Sequence, residues 1–389
     1  MATLIQTAVS TLTNRLAFRE QTGLLRQLRT ADGLIDFCSN DYLGFARSAE
    51  LRAAVHQADE AQIDAFTGAT GSRLLAGQTH LADAVERELA AFYQTGAALI
   101  FNSGYDANIG LLACLAQTGD TLITDELIHA SMIDGARLSY ATRHRFRHND
   151  LDDLETKLKQ STDKDSAGQV FVAVESVYSM DGDLAPLHDL ADLCEKYGAA
   201  LIVDEAHATG VYGPGLVVTL GLQNRVLARV HTFGKALGVH GAAVVGPTVL
   251  RQYLINFARP FVYTTALPPH SLLAIRCAHQ HLQANPGAGE RLHNRINQFR
   301  ECISTQFPDV RWTNSPSPIQ CLIVPGNDHA RFVAAQVQSA GFDVRAILSP
   351  TVPVGQERLR ICIHTFNTME DIDQLMAVLQ TALADKVSL

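Results

Sequence analysis

Short apolar runs alternate with segments of helical spacing along the chain from about residue 97. The runs are bounded by turn residues and predict strands at 97–101, 121–125, 170–174, 200–203, 229–232 and 242–245. Helices are predicted between them at 106–117, from Asn149-Asp150 onward and from Pro186 onward. Uninterrupted apolar strands separated by helices are typical of a mostly parallel sheet that helices cover on both faces. The pattern therefore predicts an α/β fold.

The order of elements changes after residue 285. The segment 285–289 is the strongest break in the chain, and the helix predicted at 269–284 ends there. Beyond it the pattern predicts helices at 290–306, 330–340 and 369–385 and strands at 319–324, 344–348 and 358–363. We therefore divide the chain into an N-terminal segment (1–44), a large domain (45–285) and a small α+β domain (286–389).

Composition narrows the class of protein. The chain has 389 residues, 47% of them hydrophobic and 18% charged, as expected of a globular enzyme. Its net charge of −9 gives no electrostatic reason to expect binding to nucleic acid or to an anionic membrane. Neither a signal peptide nor a transmembrane run is apparent. Seven widely spaced cysteines without a C-x-x-C pair favour reduced thiols, so we expect a cytoplasmic protein.

Two segments carry the most informative chemistry. Asp204 closes a predicted strand, and Lys235 follows another one, so both are expected at the carboxyl edge of the sheet, where α/β proteins bind ligands. Pyridoxal phosphate needs this pair, because a lysine binds its aldehyde and a carboxylate keeps its ring nitrogen protonated. Taken singly, Asp204 is better explained as a strand-end carboxylate or helix cap, and Lys235 as a solvated surface lysine.

Two motifs of nucleotide-binding proteins, the P-loop and the dinucleotide fingerprint, match the sequence poorly. A P-loop around Gly234-Lys235 requires a glycine where Arg229 stands and a serine or threonine where Ala236 stands. Gly68-Ala69-Thr70-Gly71 does not follow a convincing first strand, and a G-x-G-x-x-G fingerprint in that context is absent. A nicotinamide-dependent dehydrogenase is therefore a minor alternative.

Other candidates follow strands at the same edge. The turn Ser103-Gly104-Tyr105 precedes a helix predicted to start near Asp106, so its N–H groups suit a phosphate, although a plain strand-to-helix turn explains it as well. His129 can stack on a flat ring or cap a helix. His207, three residues after Asp204, can reach the same ring or be a satisfied core imidazole. Ser179 also lies just beyond a strand.

Together these segments resemble the α-oxoamine synthases, a family of pyridoxal-phosphate enzymes with the type I fold. The similar stretches span nearly the whole chain in family order: 39–44, 70–73, 102–108, 129–131, 179–183, the segments around Asp204 and Lys235, 263–268 and 350–353. One departure is the loop 210–216, which is a few residues shorter than is usual in the family. The resemblance implies that the large domain binds the cofactor and that two copies form a homodimer with shared active sites.

The resemblance also implies roles for individual residues. Lys235 would bind the cofactor covalently, Asp204 would hold the ring nitrogen, and His129 would stack on the ring. The further implied cofactor contacts are Ser179 and His207 at the ring oxygen, Gly104, Tyr105 and Thr232, and Thr264 from across the dimer interface. Arg360 would grip the amino-acid carboxylate. His129, Thr351 and Arg26 fall where the family contacts its substrates, with Arg19 and Arg29 as alternatives to Arg26; no residue is assigned to a metal.

The implied reaction is a decarboxylative condensation of L-alanine with a pimeloyl thioester, carried by coenzyme A or by a carrier protein, on the route to biotin. In it Lys235 removes the α-proton. A relative that uses glycine, such as 2-amino-3-ketobutyrate ligase, is the nearest alternative, because only a methyl group separates the two amino acids. A catalytically silent binding protein on this fold is a third possibility, which the presence of both Asp204 and Lys235 disfavours.

Overall fold

The chain folds around a seven-stranded sheet and a smaller three-stranded one. The computed structural model describes residues 4–28, 30, 33–61, 66–162 and 168–384. Within these ranges the strands are β1 Ile35–Asp36, β2 Ala97–Phe101, β3 Thr121–Asp125, β4 Thr142–Phe146, β5 Val170–Glu175, β6 Ala200–Asp204, β7 Ala228–Thr232, β8 Ala242–Gly246, β9 Ile319–Ile323, β10 Phe342–Asp343, β11 Arg345–Ile347 and β12 Arg358–Cys362.

Helices connect and cover these strands. In the described part of the chain they are α1 Leu4–Gln21, α2 Ala49–Glu60, α3 His80–Phe92, α4 Gly104–Leu115, α5 Ala130–Leu138, α6 Leu151–Thr162, α7 Leu187–Lys196, α8 Leu216–Thr219, α9 Thr248–Phe257, α10 Arg259–Val262, α11 Pro269–Ala284, α12 Ala288–Gln306, α13 Asn327–Ser339 and α14 Met369–Ala384. None of these helices is long and apolar enough to cross a membrane.

The large sheet has the strand order β2-β8-β7-β6-β5-β3-β4. Strand β8 is antiparallel to both its neighbours, and the remaining adjacent pairs are parallel. The predicted α/β fold with a mostly parallel sheet is thus confirmed. The carboxyl ends of β5, β6 and β7 lie side by side at one edge, which brings together the segments that follow these strands.

Both faces of this sheet are buried, which explains why its strands are continuous apolar runs. Successive residues of β6 alternate between two hydrophobic clusters: Ile202 packs with Leu111 of α4 on one face, and Val203 packs with Leu190 of α7 on the other. A strand with helices on both sides has no water-facing positions for polar residues. Polar side chains are therefore concentrated where the strands end.

The C-terminal part of the chain forms a second layer. Strands β11, β12 and β9 make an antiparallel sheet, and β1 near the N-terminus pairs with β10. Phe37 and Tyr42 from the N-terminal segment are buried in the same cluster as Ile319 and Leu359. This packing brings the segment 39–42 next to β12, which carries Arg360. The boundaries predicted at 44/45 and 285/286 stay predictions.

Candidate active site

Lys235 and Asp204 lie at the same edge of the large sheet. Asp204 ends β6, and Lys235 lies three residues beyond the neighbouring strand β7. The Lys235 ammonium Nζ is 2.8 Å from Nε2 of His207. Burial lowers the pKa of Lys235 to about 8, against the opposing effect of the Asp204 and Glu175 carboxyls. A lysine with this pKa exists partly as the free amine near neutral pH, as a nucleophile or base must.

A row of hydrogen bonds runs from Lys235 to Arg360. The Arg360 Nη2 and the Tyr42 hydroxyl both donate to Oδ1 of Asn40, at 3.1 and 2.9 Å. The Tyr42 oxygen then accepts from Nδ1 of His207 at 2.7 Å. Burial and the charge of Lys235 lower the pKa of His207 well below its usual value, so the ring is neutral and its Nε2 accepts from Lys235. The lysine and the arginine are therefore positioned by one network.

Asp204 is a buried carboxylate with both oxygens engaged. It is 4% exposed, its Oδ2 accepts from Nδ2 of Asn108 at 2.6 Å, and its Oδ1 accepts from the backbone N–H of Ala206 at 2.8 Å. The same Asn108 amide donates to the Ser131 hydroxyl at 3.0 Å. The helices α4 and α5 thus fix the direction in which Asp204 points.

His129 caps α5 and also lies beside the lysine site. Its Nδ1 accepts from the backbone N–H of Ser131 at 3.2 Å and is 2.8 Å from the Ser131 hydroxyl. Burial and the charge of Lys235 lower the pKa of His129, which favours a neutral ring. The cap interpretation is therefore confirmed for Nδ1, and the stacking of His129 on a cofactor ring stays a prediction.

The loop before α4 forms a cradle of backbone groups at the N-terminus of the helix. The Ser103 hydroxyl accepts from the backbone N–H of Asp106 at 3.1 Å, and the helix begins at Gly104, two residues earlier than predicted. A Cβ on Gly104 would collide with Oγ1 of Thr232, so only glycine lets β7 approach the helix this closely. Backbone N–H groups at a helix N-terminus favour a phosphate.

Two other predicted cofactor residues make hydrogen bonds within the chain. The exposed Tyr105 donates its hydroxyl to Oδ2 of Asp134 at 2.5 Å. The Thr264 hydroxyl accepts from Nδ2 of Asn102 at 3.1 Å, two residues before Gly104. A lysine, a buried carboxylate and an anion cradle at one sheet edge are the donor set that pyridoxal phosphate requires, so the residues present fit this cofactor.

A cleft of about 860 Å³ opens beside this edge and is lined by His129, Ser179 and Thr351. Ser179 is buried, its backbone N–H donates to Oε2 of Glu175 at 3.2 Å, and its carbonyl accepts from Nε of Arg360 at 3.0 Å. One predicted residue of each kind, His129 for ring stacking, Ser179 for the ring oxygen and Thr351 for substrate, thus lines this cavity.

Arg26 is separate from this group. It is exposed and lines a second groove of about 990 Å³, together with Arg15 and Arg19 of α1. Thr351 lines both the groove and the cleft, so the two spaces are neighbours. Arg29, the other alternative, lies outside the described residues.

Sequence reasoning did not assign Glu175, Asn108, Asn40 or Tyr42. Asn40 and Tyr42 belong to the segment 39–44 and Asn108 to the segment 102–108, which carry the family resemblance but imply no role for these three residues. Asn108 lies one helical turn after Gly104 on α4, facing the sheet. Glu175 ends an apolar strand in the same way as Asp204, and that shared position was the available signal.

Comparison with known proteins agrees with this geometry. Residues 32–379 match the family described as Aminotransferase class I and II. The 8-amino-7-oxononanoate synthase of Emericella nidulans is 42% identical to the chain over 377 residues, covering 90% of this chain and 89% of the relative.

Two solved structures extend the comparison. Serine palmitoyltransferase from S. paucimobilis, in a variant with a bound PLP–myriocin aldimine, has a TM-score of 0.85 and 27% identity, covering 97% of each chain. The 8-amino-7-oxononanoate synthase of Francisella tularensis has a TM-score of 0.75 and 29% identity, covering 91% of this chain and 98% of the other.

Proposed function

The chain belongs to the class I and II aminotransferase family and, within it, to the α-oxoamine synthases, and from that premise we propose that it makes 8-amino-7-oxononanoate. The substrates would be L-alanine and a pimeloyl thioester, and the reaction would release carbon dioxide and the free thiol of the acyl carrier. The chain is a pyridoxal-phosphate-dependent enzyme, as the family and the PLP-bound structural relative support. The choice of L-alanine and of the pimeloyl group rests on the names of relatives about 40% identical.

Lys235 and Asp204 would hold the reactive parts of the cofactor. When bound, pyridoxal phosphate supplies an electron sink for the charge that develops as the α-proton of the amino acid leaves. Nζ of Lys235 would bind the cofactor aldehyde, and the buried Asp204 carboxylate would keep the ring nitrogen protonated. Once displaced by the amino acid, the Lys235 amine would take the α-proton, which its lowered pKa permits.

The remaining contacts would orient the ring and its phosphate. His129 would lie against one face of the ring, and Ser179 and His207 would approach the ring oxygen. Gly104, Tyr105 and Thr232 would receive the phosphate at the N-terminus of α4.

Arg360 would bind the carboxylate of the amino acid. Its guanidinium is held by the Ser179 carbonyl, Oδ1 of Asn40 and the sulfur of Cys362. A fixed guanidinium recognises a carboxylate through parallel N–H donors, which lysine cannot do. His129 and Thr351 would contact substrate in the cleft, and Arg26 would contact the acyl donor from the neighbouring groove.

The observation that carries the proposal is the hydrogen-bonded row from Lys235 through His207, Tyr42 and Asn40 to Arg360. It links the lysine proposed to take the α-proton to the arginine proposed to hold the same substrate. Such an arrangement is not expected of a surface lysine or of a binding protein without catalytic activity.

We further propose a cytoplasmic homodimer in which Thr264 reaches the partner's phosphate. Helix α1 has no buried residue, and six of its large apolar side chains are more than half exposed: Leu4, Ile5, Val9, Leu12, Leu16 and Phe18. Such a surface is typical of an interface. The seven free cysteines suit a reducing compartment. Sedimentation should give a dimer; a monomer that is fully active would contradict the shared site.

A substrate panel tests the proposed reaction. Purified holoenzyme is given L-alanine, glycine or L-serine with pimeloyl, acetyl or succinyl thioesters, and products are identified by mass spectrometry. The proposal predicts the highest kcat/KM for L-alanine with a pimeloyl thioester. A preference for glycine with acetyl-CoA would overturn this assignment and leave the family unchanged.

A further inference from the structure

Glu175 is a second buried carboxyl beside Asp204. It is the last residue of β5, is 2% exposed, and is the register partner of Asp204 on the parallel strand β6. Partners on neighbouring parallel strands project to the same face of a sheet. Two acidic side chains therefore lie next to each other where the cofactor ring is proposed to bind.

The two carboxyl groups differ in the hydrogen bonds that they accept. Both oxygens of Asp204 accept strong hydrogen bonds, from the Asn108 amide and from the backbone N–H of Ala206. Glu175 accepts through Oε2 from the backbone N–H of Ser179, whereas its buried Oε1 has no hydrogen-bond partner among the described residues. An ionised Glu175 would place charge on a buried oxygen that accepts no hydrogen bond from the described part of the chain, which is unfavourable.

Charged and polar groups face Glu175 from each neighbouring element. Asp204 faces it from β6, Lys235 from the loop after β7, and the backbone N–H of His129 from the start of α5. Burial raises the pKa of Glu175, and the Asp204 charge raises it further. Lys235 and the N–H groups of His129 and Ser179 oppose this, and the net result is a pKa of about 8.

We propose that Glu175 is a positioning residue that acts as a neutral carboxyl. It holds the backbone of Ser179, and with it the carbonyl that orients Arg360, against the end of β5. With Glu175 neutral, Asp204 is left as the carboxylate proposed to hold the ring nitrogen of the cofactor. The inference rests on the proposed function for the ring, but its central statement concerns the protonation of one side chain.

Infrared difference spectroscopy on the holoenzyme tests that statement without any substrate. The spectrum of the wild-type protein minus that of E175Q should contain the C=O band of a protonated carboxyl at pH 7, and this band should weaken as the pH is raised and the carboxyl ionises. The subtraction is needed because burial also raises the pKa of Glu205, to about 7. A matched control is E86Q, since Glu86 is buried but paired with Arg73 and Arg251, and its removal should reveal no such band. Absence of the Glu175 band at pH 7 would overturn the proposal.

Cofactor affinity gives a second readout. E175A leaves the Ser179 N–H without an acceptor and should weaken binding of pyridoxal phosphate about tenfold or more. E175Q keeps an amide oxygen for that N–H and should recover most of the lost affinity. If E175Q binds as weakly as E175A, the charge of Glu175 is what matters and the proposal is wrong. If L-alanine is not the substrate but the band and the rescue are found, only the proposed function fails.

Discussion

Replacing Asp204 with asparagine separates the charge of this residue from its hydrogen bonds. In the wild-type protein Oδ2 accepts from the Asn108 amide at 2.6 Å and Oδ1 from the Ala206 N–H at 2.8 Å. In D204N, with Asn108 in its present orientation, one of these donors faces the new NH₂ group, because an amide has a single acceptor oxygen. An opposed buried donor destabilises a protein by about 1–3 kcal/mol.

The lost charge has a larger effect on catalysis. A carboxylate at a hydrogen-bonding separation of about 3 Å from a cationic ring nitrogen contributes about 5 kcal/mol at an effective dielectric constant of about 20. At about 1.4 kcal/mol for each factor of ten, D204N should lower kcat by about three to four orders of magnitude.

The assay measures kcat at saturating cofactor and the free energy of unfolding by chemical denaturation, each for the wild type, D204N and the double variant D204N/N108D. The double variant returns a carboxylate to the pair, on α4 instead of β6, so it should regain stability and not activity. D204N that keeps kcat within about tenfold of wild type at full cofactor occupancy would refute the assignment of Asp204 to the ring nitrogen.

Three further changes test other parts of the site. R360K keeps the positive charge but loses the paired N–H donors of the guanidinium, so KM for the amino acid should rise about a hundredfold with a smaller change in kcat. An unchanged KM would show that Arg360 does not bind the substrate. G104A places a methyl group against Thr232 and should weaken cofactor binding by at least about tenfold, measured by titrating the visible absorbance band with pyridoxal phosphate. An unchanged affinity would contradict the proposal that this loop binds the phosphate. Burial alone would lower the pKa of His148, but the hydrogen bonds that its ring donates to the Asp125 and Asp183 carboxylates outweigh this effect and raise the pKa to about 10. H148Q should therefore destabilise the fold by about 3 kcal/mol near neutral pH. The raised pKa of His148 stabilises the folded protein fully below the ordinary value of 6.5, and this stabilisation is lost as the pH rises through about 10. The difference between H148Q and wild type should therefore shrink as the pH rises from about 6.5 and be lost above about pH 10, and a constant difference would contradict this explanation.

The large sheet was predictable because its strands are buried on both faces and therefore read as apolar runs. Strand β4, which the pattern did not predict, shows the limit of this signal. It is an edge strand with the sequence Thr-Arg-His-Arg-Phe, and only its last residue is buried. Charged side chains protect such an edge from pairing with another chain, and they also remove the apolar pattern. Helix α1 was missed for a related reason, since none of its residues is buried in the single chain.

The part of the site that lies at the ends of neighbouring strands was predictable from the sequence. Lys235, Asp204 and His207 could be associated because parallel strands end at one edge. The role of Glu175 could not be predicted, because its protonation depends on distances to Asp204 and Lys235 that the sequence does not contain. The position of Arg26 likewise depends on how the segment after α1 lies against the body, which no local pattern specifies.

The central claim is that Lys235 binds pyridoxal phosphate covalently, and chemical trapping tests it most directly. Holoenzyme is reduced with borohydride, digested, and analysed by mass spectrometry for the peptide that carries the cofactor. We predict loss of the visible absorbance band and a single modified site at Lys235, with no labelling in K235A and unchanged labelling in the control K196A, whose lysine is exposed and paired with Glu155. A protein that gains no band with added cofactor, or that is labelled at another lysine, would contradict the account.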